Sequence, residues 1–191
     1  MTIYFSTAKL TKFLKLRKFD RRHPMKSNLE QTLLDKIQPL ASLKARVDSW
    51  QSEGKKVVFT NGVFDLLHIG HVTYLAKAAD LGDKLIIGLN ADSSVKRIKG
   101  ESRPINDQNN RAALLASLFF VDAVVLFDED TPLNLISKLL PDILVKGADY
   151  TIDNIVGAKE VIANGGEVKT ITFVEGYSST SIINKIKERE L

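Results

Sequence analysis

Five short apolar runs alternate with helix-periodic segments along this chain, and that alternation limits the possible folds more than any other feature. The runs are 57–59 (VVF), 85–89 (LIIGL), 123–127 (AVVLF), 143–145 followed by Lys146, and 168–173 (VKTITF). Short bounded runs of this kind are how strands buried on both faces read. Between them, apolar positions at helical spacing predict helices over about 70–81, 92–98, 107–120, 131–139 and 157–164, with a last one over about 179–189. Alternation of this kind predicts a Rossmann-like α/β fold: a doubly wound, five-stranded parallel sheet with right-handed crossovers and helices on both faces. Start signals support three of the helices. They are Asp92 after Asn90, Asp107 before the run Leu114, Leu115, Leu118 and Phe119, and Thr131-Pro132 as cap and first turn.

Upstream, Leu29, Leu33, Leu34 and Ile37, then Leu40, Leu43, Val47 and Trp50, fall at helical spacing. Pro39 divides them into two helices, and Gly54 ends the second. The expected organisation is a basic tail over 1–26, a helical extension over 27–54 and one domain over 55–191. The net charge of +4 belongs to the tail. Residues 1–26 hold eight Lys/Arg and one acid, whereas the rest holds 19 basic and 22 acidic residues. Such a tail reads as a solvated extension, with binding of nucleic acid or anionic lipid as the sharper alternative. Met25, before Lys26 and Ser27, offers a second translational start.

There is no cysteine, so disulfides, thiolate nucleophiles and thiolate metal sites are excluded. No apolar run approaches the roughly 20 residues of a membrane span. The N-terminal stretch lacks the apolar centre and cleavage site of a secretory signal, and a cytoplasmic protein is the expectation.

The stretch 57–75 (VVFTNGVFDLLHIGHVTYL) concentrates the chemistry. A strand breaks at Asn61-Gly62, a loop runs to Asp65, and His68 and His71 bracket Gly70 where a helix begins. Ligands of open α/β sheets bind at such a strand-to-helix turn. Unpaired N–H groups and the positive dipole end of the helix favour an anion there. At i and i+3 both imidazoles project to one side. Three readings compete: a zinc site, which needs a third ligand beyond Asp65; a structural pair; and a phosphate site built from imidazole and backbone N–H donors. Gly70, with no Cβ to obstruct a close approach, favours the phosphate. A second candidate anion site is Ser178-Ser179-Thr180-Ser181, at the start of the last helix and just after a strand. One cap needs fewer hydroxyls than these four.

Histidines spaced in this way also occur in class I aminoacyl-tRNA synthetases, but those are larger and carry a lysine-rich second signature not found here. The ordered set GVFDLLHIGH, GLNADSSVKRIKGESRPI, NRAALLASL, LVKGADY and EGYSSTSII resembles the cytidylyltransferase-like nucleotidyltransferases. Within that family it is most similar to the bacterial D-glycero-β-D-manno-heptose 1-phosphate adenylyltransferases, which make ADP-heptose for lipopolysaccharide. In many bacteria that activity is fused to a sugar kinase, and this chain resembles a stand-alone form. The likeness covers about residues 55–188.

The resemblance implies transfer of AMP from ATP to a sugar 1-phosphate, with Mg²⁺ carried on the ATP phosphates and no metal site of the protein's own. It implies catalytic roles for His68, His71, Lys99 and Arg111. On the nucleotide it implies Thr60, Asn61, Gly62, Phe64, Gly70, Lys146, Gly147, Asp149, Ser179 and Thr180. Near the acceptor or its loop it implies Asp65, Asp92 and Arg103, with Lys96 as a further source of positive charge. Homodimers are common in the family. The nearest alternative is a cytidylyltransferase acting on glycerol phosphate or a similar phosphorylated alcohol. From another class come a nucleotide sensor and a nucleic-acid binder, both disfavoured by the full set of charged residues.

Overall fold

The computed structural model describes residues 28–148, 151–172 and 176–188. The chain begins with two helices, α1 (Leu29–Leu34) and α2 (Leu40–Ser52), joined across Pro39. Then come β1 (Val57–Gly62), α3 (Ile69–Ala79), β2 (Lys84–Asn90), α4 (Asp92–Lys99), α5 (Gln108–Ala116) and β3 (Ala123–Phe127). The second half runs α6 (Leu133–Leu139), β4 (Ile143–Gly147), a 3₁₀ turn (Ile152–Asn154), α7 (Ala158–Ala163), β5 (Glu167–Ile171) and α8 (Ser179–Lys187). The five strands form one sheet in the order β3-β2-β1-β4-β5, and every pairing is parallel.

Alternate residues of β1 face opposite cores, as the twofold side-chain period of a strand requires. Val57 and Phe59 join Leu43, Val47 and Trp50 of α2 and Leu135, Ile136 and Leu139 of α6 on one face. Val58 joins Tyr74, Leu75 and Ala78 of α3 and Ala112, Leu115 and Ala116 of α5 on the other. With both faces covered, the strands can be apolar throughout. Truncating a fully buried residue such as Leu43 or Leu144 to alanine would cost about 2–5 kcal/mol. The edge of β3 is covered as well: Gln38 N–H donates to the Val124 carbonyl at 2.9 Å and Val124 N–H to that of Lys36 at 2.8 Å.

Several sequence expectations need correction. Asp107 caps α5 as predicted, its Oδ1 accepting from Asn109 N and Asn110 N at 2.9 Å each. Asp92 does not cap α4. Ala91 occupies that position and Asp92 lies in the first turn. Thr131 does not cap α6 either; Pro132 stands there with no side-chain cap. The helix predicted over 107–120 ends at Ala116, so Phe119 lies beyond it and is 88% exposed, and Leu114 is also exposed. Leu115 is on the core face of α5 as predicted, joined by Ala112 and Ala116, and Leu118 beyond the helix packs against the same core.

In this strand order the chain leaves β1 toward β2 and β3, and later returns on the other side of β1 with β4 and β5. The direction of winding thus reverses between β1 and β4, which opens a crevice at their carboxyl ends.

Candidate active site

A cavity of about 380 Å³ fills that crevice. Asn61, Gly62, Phe64 and Asp65 reach it from β1 and the following loop, and His71 from α3. Lys99 and Arg103 come from the end of α4 and beyond, Lys146 and Gly147 from β4, and Ser179 and Thr180 from α8. The two turns singled out in the sequence therefore face a single space. They also touch directly. Ser179 Oγ donates to the Leu66 carbonyl at 3.2 Å, and a Cβ on Gly70 would meet the Tyr177 Cβ at 3.3 Å.

At the α3 turn, the His68 and His71 rings stack with centroids 3.8 Å apart and planes 20° from parallel. His68 is the N-cap: its Nδ1 accepts from His71 N–H at 3.4 Å, a long bond. An Nδ1 that accepts carries no proton, so the neutral ring bears its hydrogen on Nε2. Burial lowers the His68 pKa. Burial, and then the charge of His68, hold His71 at about 4 against the opposing pull of the Leu66 carbonyl. Both imidazoles are therefore neutral near pH 7 before an anion arrives. His71 Nδ1 is buried without a well-formed hydrogen bond to any of the described residues.

Phe64 has φ of 47°, in the left-handed region that a bulky residue seldom occupies. Packing holds it there: the side chain is buried, and its ring meets His71 edge-on at 5.1 Å. A Cβ on Gly62 would come within 2.9 Å of the Phe64 ring, which explains the glycine. Gly70 is explained in a similar way. A Cβ there would lie 3.0 Å from His68 Nδ1, so the glycine makes room for the imidazole, where the sequence reading placed a phosphate.

At the α8 turn the hydroxyls divide their work. Ser178 Oγ accepts from Ser181 N–H at 3.0 Å, and Ser178 N–H donates to Ser181 Oγ at 3.3 Å, a reciprocal capping box. Ser179 is bonded to the Leu66 carbonyl. The Thr180 hydroxyl makes no hydrogen bond among the described residues and lines the cavity.

Two predicted site residues are committed to the fold. Asp65, 2% exposed, accepts from Arg103 Nε at 2.5 Å, Ile105 N at 2.8 Å and Asn106 N at 3.0 Å. It pins the loop after α4 beneath the cavity. Arg111 is fully buried, and each of its guanidinium nitrogens has a partner. Nη1 donates to the Val63 carbonyl at 2.7 Å, Nη2 to Asp92 Oδ1 at 2.7 Å and Nε to the Asn106 carbonyl at 3.0 Å. Arg111 and Asp92 thus neutralise each other, and neither lines the cavity. Arg103 does line it, with its charge balanced by Asp65.

The other predicted residues are placed as follows. The Thr60 hydroxyl is fully buried against Tyr74 Oη at 2.8 Å. Lys146 Nζ donates to Asn61 Oδ1 across the crevice. Lys99 has no ion-pair partner among the described residues, whereas Lys96 pairs with Glu101 at the surface. Asp149 lies outside the described residues. The sequence reading missed Val63 and Tyr74, which also line the cavity. Tyr74 had a usable signal, since it follows His71 by three residues and shares its helix face. Among the described residues no three His, Asp or Glu side chains cluster as a metal site, and no helix is long and apolar enough to cross a membrane.

Three comparisons with known proteins bear on this geometry. Residues 59–185 match the family model described as cytidylyltransferase-like. The chain is 62% identical over 138 residues to the Bifunctional protein HldE of Campylobacter concisus, covering 72% of this chain and 28% of that one. It is 48% identical over 171 residues to the HldE of Methylobacillus flagellatus, covering 90% and 35%. It spans about a third of the length of these curated relatives. Among solved structures, the lipopolysaccharide core biosynthesis protein of Thermoplasma volcanium superposes with a TM-score of 0.51 at 32% identity, over 65% of this chain and 99% of that one. The pantoate-beta-alanine ligase of Francisella tularensis shares the fold, with a TM-score of 0.52 at 15% identity, over 81% and 78%.

Proposed function

The chain belongs to the cytidylyltransferase-like family, and on that premise we propose that it transfers AMP from ATP to D-glycero-β-D-manno-heptose 1-phosphate, giving ADP-heptose and pyrophosphate. The observation that carries this reading is the meeting of two helix N-termini, His71, Thr180 and Lys99 around one cavity at the β1–β4 crevice. The kinship with HldE proteins and with a lipopolysaccharide core biosynthesis protein supports the choice of sugar.

An oxygen of the sugar phosphate attacks the α-phosphorus of ATP, the bond from that phosphorus to the bridging oxygen breaks, and pyrophosphate leaves with the electron pair. A phosphate monoester has its second pKa near 6, so the nucleophile is largely a dianion at neutral pH and needs no general base. The protein has to position the groups in line and stabilise charge. His71 donates to the phosphate oxygens from a neutral ring, and its pKa rises as the anion settles beside it. Thr180 and the backbone N–H groups opening α3 and α8 add donors. Lys99 and Lys146 supply positive charge from opposite sides of the crevice. Asp65 is saturated by Arg103 and two backbone N–H groups, which fits a divalent cation held by the ATP phosphates and not by a protein cage. Mg²⁺ bound in that way adds charge neutralisation at the triphosphate. In this reading residues 55–191 are the catalytic domain, 27–54 a helical extension and 1–26 a tail, and the enzyme works in the cytoplasm as a homodimer.

Incubation with ATP, Mg²⁺ and the heptose 1-phosphate, followed by mass detection, should yield a nucleotide-sugar and one pyrophosphate per turnover. Product with CTP and glycerol 3-phosphate, and none with ATP and the sugar phosphate, would contradict the assignment.

A further inference from the structure

Next to the first cavity lies a second, of about 300 Å³, and the two share Asn61, Gly62, Val63, Lys99 and Lys146 as a common wall. The far side of the second cavity mixes apolar surface with polar groups, Ile98, Pro132 and Ile155 among the former and Asn90 and Asn154 among the latter. A sugar ring, with its apolar CH faces and its hydroxyl edge, needs a lining of this kind.

One polar group here is fixed by the fold. Asn90 ends β2 and is only 5% exposed. Its Nδ2 donates to Ser94 Oγ at 3.0 Å, and Ser94, itself fully buried, donates to the Glu129 carbonyl at a longer 3.4 Å. A hydroxyl has one proton. With that proton given to Glu129, Ser94 Oγ can only accept from Asn90, so the amide must turn its NH₂ toward Ser94. The Asn90 carbonyl oxygen is thereby left as an acceptor, with no hydrogen-bond partner among the described residues, on a side chain that lines the second cavity.

We infer that this second cavity receives the non-phosphate part of the acceptor and that Asn90 Oδ1 accepts a hydrogen bond from one of its hydroxyls, making Asn90 a specificity-determining residue. The inference rests on the transfer reaction proposed above. Lys99 and Lys146, shared by both spaces, then flank the junction where the acceptor phosphate meets ATP. Ser94 is a positioning residue that acts only through the amide it orients. Buried acceptors matched to a substrate hydroxyl discriminate strongly, because an analogue lacking the hydroxyl leaves the protein group unpaired.

The test uses the full chain with a panel of sugar 1-phosphates and their monodeoxy analogues, read out as pyrophosphate release. Asn90→Leu should raise the acceptor KM about ten- to a hundredfold while the ATP KM stays within about twofold. Wild type should discriminate against one monodeoxy analogue, and Asn90→Leu should lose that discrimination. Ser94→Ala, which frees the amide without removing it, should raise the acceptor KM by less and serves if Asn90→Leu fails to fold. Wild-type turnover with an acceptor KM unchanged in both variants, or unchanged in Ser94→Ala where Asn90→Leu does not fold, would overturn this inference and leave the transfer reaction standing. No turnover by wild type with any sugar phosphate would overturn both.

Discussion

The two sides of the first cavity are built on opposite plans. On one side Asp65 and Arg103, backed by the Asp92–Arg111 pair behind the cavity wall, are charged groups to which the sequence reading gave catalytic or acceptor roles but which pair with one another and with backbone atoms. On the other stand His71, whose neutral ring lines the cavity, and Thr180, whose neighbours are spent, Ser178 and Ser181 on capping the helix and Ser179 on the Leu66 carbonyl. The first side holds loops in place, and the second keeps hydrogen-bonding capacity for a ligand. The difference teaches that a residue's unspent valence, more than its type or its nearness to a motif, separates ligand groups from scaffold.

The sharpest way to break this contrast is to remove Arg111. Arg111→Met would leave two backbone carbonyls without a donor and Asp92, one-third exposed, to water, at a cost of about 3 kcal/mol. A melting temperature lower by roughly 10 °C should follow. A variant that melted like wild type but lost catalysis would move Arg111 to the ligand side. His71→Ala should do the reverse. It should lower kcat about a hundredfold or more, as loss of one transition-state donor does in other enzymes, with little loss of thermal stability.

A third, smaller effect concerns pH. His71 titrates at about 4 in the folded chain but near 6.5 when unfolded, so between those values the unfolded state binds the extra proton. Stability should fall as pH drops from about 6.5 to 4, by at most about 3 kcal/mol from this group, and His68 acts in the same direction. In His71→Gln the acid-side slope of stability against pH, measured by denaturant unfolding, should flatten. A slope identical to wild type would mean that the ring is not held neutral by burial.

The smallest test compares hydroxyls within one turn. Thr180→Val should raise the ATP KM roughly tenfold and leave the melting temperature unchanged, as expected for one hydrogen bond to a charged group. Ser178→Ala should lower stability by about 1 kcal/mol through loss of the cap. If the two variants exchanged these effects, the division of labour in the turn would be wrong.

Much of this was legible in the sequence because it rests on local pattern. The five strands show as apolar runs, and one of them, Ala123–Phe127, has the expected bounds to the residue. That His71 and Thr180 line one cavity was legible because both sit at helix starts after strands, the ends at which open α/β sheets have their crevice. What the sequence concealed are bonds to backbone atoms and across long separations. An arginine ahead of an amphipathic run reads the same whether it faces a ligand or, like Arg111, the carbonyls of Val63 and Asn106. Gly70 reads as an opening for a ligand, yet it makes room for the His68 ring, as Gly62 does for that of Phe64. The Asn90 amide was invisible because its orientation depends on a carbonyl 39 residues away.

Diffraction from crystals grown with a non-hydrolysable ATP analogue and Mg²⁺ examines this division directly. The phosphates should lie within hydrogen-bond reach of His71, Thr180 and Lys99, while Arg111 keeps Val63, Asp92 and Asn106 and Asp65 keeps Arg103. Phosphates bound by Arg111 or Arg103 after those bonds had opened, with His71 and Thr180 untouched, would contradict it.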